Sequence, residues 1–149
     1  MRLFLTTIAL GSLMTAPMMA AADFTGTWTL NVAQSQYGQF PAPQSMTRVI
    51  LMSGSTLTMI TNQKGASGEV STTLKYTLDG KPNENGESKG VAHWEGENLV
   101  IESSREAQGI VLTQRDVWIL SADKKTLTVQ SHVKLPNGEF DVKQVFNSR

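Results

Sequence analysis

The sequence predicts an all-β fold: an antiparallel up-and-down β-barrel of about eight or nine strands, with a two-sheet β-sandwich as the alternative arrangement. Three observations point there. Apolar and polar residues alternate with period two along most of the chain. Turn-forming Gly, Pro, Asn, Asp and Ser recur at short intervals. No amphipathic stretch is long enough for a three-turn helix. Closure into a barrel would remove the exposed edges that so many strands otherwise present.

Before the strands comes a leader. Arg2 gives residues 1–22 a positive start, Leu3-Phe4-Leu5 through Leu13-Met14 an apolar core, and Ala20-Ala21-Ala22 a small-residue cleavage site ahead of Asp23. The apolar run is shorter than the roughly 20 residues that span a bilayer. The sequence therefore predicts an exported protein, periplasmic or extracellular after cleavage, with residues 23–149 forming one domain.

In the first strand Phe24, Gly26, Trp28 and Leu30 share one face. Residues 33–45 are irregular, because Pro41 and Pro43 forbid a central strand and Gly38 marks a turn. The run Tyr37–Pro43 is long enough to lie over a barrel mouth. Met46–Ser53 and Thr56–Asn62 form a hairpin around Gly54, and residues 63–68 read as a mobile turn. Val70–Asp79 alternates most cleanly, with Val70, Thr72, Leu74, Tyr76 and Leu78 on the core face. Residues 80–87 read as a polar loop. Lys89–Glu95 and Asn98–Ser104 pair across Gly96, and Ile110–Leu120 is apolar on both faces. In Thr126–Lys134, Leu127, Val129, Ser131 and Val133 face inward. Pro136-Asn137-Gly138 turns the chain into a last strand, Asp141–Phe146.

Composition excludes several function classes. The mature chain carries 12 Lys and Arg against 13 Asp and Glu, so it lacks the basic footprint of a nucleic-acid binder or an anionic-lipid patch. It has no Cys, which removes thiol chemistry, thiolate metal sites and disulfide support. There is no Gly-x-Ser-x-Gly elbow, phosphate loop or dinucleotide fingerprint. The sequence points to no catalysis, no cofactor and no metal. His93 and His132, the only imidazoles, read as outward-facing, and Glu95/Glu97 and Glu102/Glu106 as solvated pairs beside turns.

Phe24-Thr25-Gly26-Thr27-Trp28-Thr29-Leu30-Asn31, followed by Ala33–Gly38 and Pro41-Ala42-Pro43, resembles the start of small exported bacterial lipocalin-like (calycin-type) proteins. Leu120–Val129 and the last hairpin resemble their ending. The resemblance implies a closed barrel with one open mouth. It also implies that Gly26 and Trp28 form a structural signature, with Trp28 at the closed end beneath a basic side chain from a late strand, Arg149 or Arg115.

The expected partner is a small, partly apolar molecule inside the barrel. Tyr76, Trp94, Leu112 and Trp118 would supply its apolar walls, and Gln114 or Arg115 a polar anchor. The polar run Thr113-Gln114-Arg115-Asp116 interrupts an apolar strand. Alternation sends either Gln114 and Asp116 or Thr113 and Arg115 inward. A hollow interior of about 300 Å³ or more separates this reading from a packed interaction module that binds a protein or glycan through its loops.

Overall fold

The structure, a computed structural model, describes residues 21–149. The expected leader falls, except for Ala21 and Ala22, outside the described residues. Ten strands follow: β1 (Gly26–Leu30), β2 (Ser45–Ser53), β3 (Thr56–Gly65), β4 (Gly68–Thr77), β5 (Asn83–Asn85), β6 (Ser88–Glu95), β7 (Asn98–Ala107), β8 (Ile110–Leu120), β9 (Thr126–Leu135) and β10 (Gly138–Ser148). All the pairings are antiparallel, and β1 also pairs with β10. A single sheet therefore runs β4-β3-β2-β1-β10-β9-β8-β7-β6-β5. It curls until its two edges, β4 and β5, meet. This is the barrel, not the sandwich.

The strand missing from the expectation is β5. Asn83-Glu84-Asn85 has no β-branched or aromatic residue, so its composition reads as loop. Its backbone pairs with β6 from Asn83↔Gly90 to Asn85↔Ser88, and its side chains reach across to β4. The Lys75 N–H donates to Asn85 Oδ1 at 2.9 Å, and Asn85 Nδ2 donates to the Lys75 carbonyl at 3.0 Å. The Thr77 N–H donates to Asn83 Oδ1 at 3.2 Å. Two side-chain amides thus stand in for a backbone ladder and tie the edges together. The β3–β4 hairpin is also longer than expected. Gln63–Gly65 pairs with Gly68–Val70, which leaves only Ala66 and Ser67 as the turn.

The connection from β1 to β2 starts with a short 3₁₀ turn, Val32–Gln34, capped by Asn31 Oδ1, which accepts the Gln34 N–H at 3.1 Å. It then runs beside β10: Gln36 bridges to Lys143, and Phe40 meets Phe140 edge-on at 5.2 Å. The segment Tyr37–Pro43 packs along the wall, and none of it lines the interior cavity.

Aromatic residues plug the closed end. Phe24 stacks on Trp94 at 6.0 Å and meets Trp118 edge-on at 5.5 Å. Its carbonyl accepts the Trp28 indole N–H at 2.9 Å. Trp28, Leu57, Leu99, Leu127 and Phe146 complete this core. Gly26 enters β1 at φ +148°, which L side chains rarely adopt, so the signature glycine answers to backbone conformation.

Candidate functional site

Above the aromatic plug the barrel is hollow. The inward faces of β2, β3, β4, β7 and β8, with the β5–β6 turn, enclose a cavity of about 560 Å³. This lies within the usual range for small-molecule sites. Met59, Leu74, Tyr76, Ile101, Leu112 and Trp118 form its apolar lining. Its polar lining includes Arg48, Thr72, Ser103, Gln114 and Asp116, with Glu87 and Arg105 among the charged members. A larger concavity of about 620 Å³ lies outside, over β6 to β9, among Lys89, Glu102, Arg115, His132 and Lys134. It is an open groove between solvated charges, so the interior is the candidate site.

Gly90 and Ala92 are buried on one face of β6, and the missing side chain of Gly90 makes way for the Tyr76 ring. A Cβ on Gly90 would stand 3.0 Å from both Tyr76 Cε1 and the Glu102 carbonyl oxygen. Burial raises the Tyr76 phenol's pKa, and the nearby Asp116 charge adds to the effect.

The polar residues link up across the interior. Arg48 on β2 donates from Nη2 to Gln144 Oε1 at 3.2 Å, and its guanidinium lies 4.7 Å from the centre of the Phe146 ring. Gln144 Nε2 in turn donates to the Tyr37 hydroxyl at 2.9 Å. Across the barrel, Asp116 on β8 accepts from Gln114 Nε2 at 2.7 Å. Burial raises the Asp116 pKa, opposed by hydrogen bonds from Ser131 and Gln114 and by the Arg48 charge. Burial lowers the Arg48 pKa, opposed by Asp116 and Tyr37. Arg48 and Asp116 thus act on each other's charge without forming a contact pair within 4.0 Å.

Of the residues named from the sequence, the structure places Tyr76, Leu112, Gln114 and Trp118 on the cavity wall. It settles the open register of β8: Gln114 and Asp116 point in, while Thr113 and Arg115 point out. Arg115 is therefore not an internal anchor. It ties down the outer face, with Nη2 2.7 Å from Glu95 Oε2 and Nε 3.4 Å from Glu102 Oε1. Trp94 points inward but belongs to the plug, stacked on Phe24 below the cavity. Arg149 does not cover Trp28. Its Nε donates to Thr29 Oγ1 at 3.1 Å, on the face opposite the indole. The basic residue facing Trp28 in the register is Arg48. Alternation carried that signal, since Met46, Arg48 and Ile50 share one face and both flanking residues are buried.

The outer face holds ion pairs. His132 Nδ1 lies 2.7 Å from Asp141 Oδ1, and Nε2 lies 3.2 Å from Glu139 Oε2. These contacts raise the His132 pKa, with the Asp141 hydrogen bond the largest cause. His93 stands 3.7 Å from Glu95, also outside. Among the described residues no helix is long and apolar enough to cross a membrane.

No family model and no curated protein matches the chain. Solved structures do. The fluorescent protein UnaG is 19% identical, with a TM-score of 0.59 over 85% of this chain and 97% of its own. Zebrafish ileal bile acid-binding protein in complex with cholic acid is 16% identical, with a TM-score of 0.60 over 85% and 98%. A fatty acid-binding protein from Drosophila melanogaster brain is 14% identical, with a TM-score of 0.54 over 85% and 100%. At these identities the likeness is one of fold: the chain shares the antiparallel β-barrel of these proteins.

Proposed function

We propose that this protein binds a small, largely apolar molecule inside its barrel, and that it does so outside the cytoplasm after losing residues 1–22. The observation that carries the binding reading is the 560 Å³ interior cavity, where an apolar wall that includes Leu74, Ile101, Leu112 and Trp118 meets a comparable set of polar side chains. A packed interaction module needs a filled interior, and the cavity speaks against one. The similar barrels named for fatty acids and for bile acid, one of them holding cholic acid, support the same reading by analogy of fold.

The test is native mass spectrometry of the protein purified from its source, followed by denaturing analysis of whatever it carries. The expected result is a small apolar adduct, lost in Leu112→Trp, which fills the cavity from its wall. An adduct-free wild type that also takes up no fatty acid or bile acid contradicts the reading. The mass of the mature chain tests the leader: cleavage before Asp23 is expected, and an intact N-terminus in the exported fraction rejects it.

A further inference from the structure

Residues 23–149 hold no Cys and three methionines, Met46, Met52 and Met59, so thioethers are their only sulfur. Two of the three are well enclosed. Met46 is 5% exposed and lies against Gln144, and Met59 is 7% exposed on the cavity wall. Met52 differs. It is half-buried near the end of β2, and it lines a depression of about 420 Å³ on the outer side of the closed end, beside Asp23, Leu78 and Trp94.

The Met52 sulfur also holds the plug. The Phe24 N–H donates to Met52 Sδ at 3.2 Å, and that sulfur is the acceptor the structure gives this N–H. Phe24 itself is fully buried, stacked on Trp94 and edge-on to Trp118. A thioether accepts weakly, and oxidation removes even that. In a sulfoxide the sulfur carries positive charge and the oxygen negative charge. At 3.2 Å no oxygen fits between the N–H and the sulfur, so it adds on the side of the depression. The Phe24 N–H is then left without a partner, the costly case for a buried donor.

We propose that Met52 is a site of reversible oxidation by peroxides, and that its oxidation state sets how tightly the N-terminal segment grips the plug. A sulfur lone pair attacks one peroxide oxygen. The S–O bond forms, the O–O bond breaks, and the other oxygen leaves as water or an alcohol. Sulfur is oxidised by two electrons and the peroxide reduced by two. Methionine sulfoxide reductases reverse the change. The effect reaches the cavity floor, because Phe24 touches Trp118 and Trp118 lines the cavity. The site itself lies outside the cavity, so the inference stands whether or not the barrel holds a ligand.

The experiment is treatment of the folded protein with hydrogen peroxide, read by peptide mass spectrometry and by hydrogen exchange. Met52 is expected to take up one oxygen before Met46 or Met59 does. In the singly oxidised protein the Phe24 amide is expected to exchange about fivefold faster, the loss of one ordinary hydrogen bond. The Val133 amide in β9 should hold its protection, which separates local loosening from unfolding. Methionine sulfoxide reductase should restore the slow Phe24 rate. Met52→Leu should lack the early product and show a fast Phe24 amide with or without peroxide. If that variant fails to fold, the cycle of oxidation and reduction on wild type carries the test. Oxidation of Met46 or Met59 as early as Met52, or a Phe24 amide that does not respond to Met52 oxidation, overturns the proposal.

Discussion

The Tyr76 ring rests against the backbone of Gly90, so close that a Cβ there would lie 3.0 Å from Cε1. The Glu102 carbonyl oxygen stands at the same distance, and it cannot rotate away. Gly90→Ala is therefore an overpacking change, expected to cost about 1–3 kcal/mol in urea unfolding. Tyr76→Leu in the same chain should recover only part of that, because the carbonyl remains. A neutral Gly90→Ala would contradict the packing described.

The plug makes a second prediction. Phe24 is fully buried and touches two indole rings. Phe24→Ala should cost about 3–5 kcal/mol, the usual range for a buried aromatic. Near-ultraviolet circular dichroism should show the Trp94 and Trp118 signals collapsing together. A loss below about 1 kcal/mol would mean that the closed end is not sealed this way.

Asn85 closes the gap between β4 and β5. Asn85→Ala removes both of its hydrogen bonds to Lys75, and Asn85→Asp removes only the one it donates. Each net bond is worth about 1 kcal/mol. Hydrogen exchange should show the Lys75 amide losing protection in Asn85→Ala and keeping it in Asn85→Asp. Unchanged protection in both would show that the edges are held by something else.

His132 titrates above its ordinary value of 6.5, because Asp141 and Glu139 favour its charged form. A raised folded-state value stabilises the folded chain below the unfolded value, and that contribution is lost as pH rises through the folded one. Nuclear magnetic resonance titration should place the His132 midpoint above 6.5, and Asp141→Asn should bring it back toward 6.5, with Glu139 holding part of the shift. A midpoint at or below 6.5 in wild type would contradict the ion pair.

Much of the barrel was legible because alternation is a local signal. Val70, Thr72, Leu74 and Tyr76 do share the cavity side of β4, and Leu127, Val129, Ser131 and Val133 do face inward on β9. What local pattern did not carry was decided across strands. β5 forms by pairing with β6 and is tied to β4 by the Asn83 and Asn85 side chains, which composition alone does not announce. On β8 both faces are partly apolar, so alternation left two registers open, and pairing to β9 chose the one that turns Arg115 out. No local pattern marks the Arg48 face as the interior, and only closure of the barrel makes it so. The resemblance offered Arg149 or Arg115 as the basic partner of Trp28, whereas the basic residue facing Trp28 in the register is Arg48, from an early strand.

The central claim is that a ligand sits within the barrel. Intermolecular nuclear Overhauser effects between dodecanoate and isotope-labelled protein test it most directly. The account predicts contacts from the alkyl chain to Leu74, Ile101 and Leu112 on the cavity wall. Contacts confined to the outer groove around Arg115 and His132, or none at saturating ligand, would contradict it.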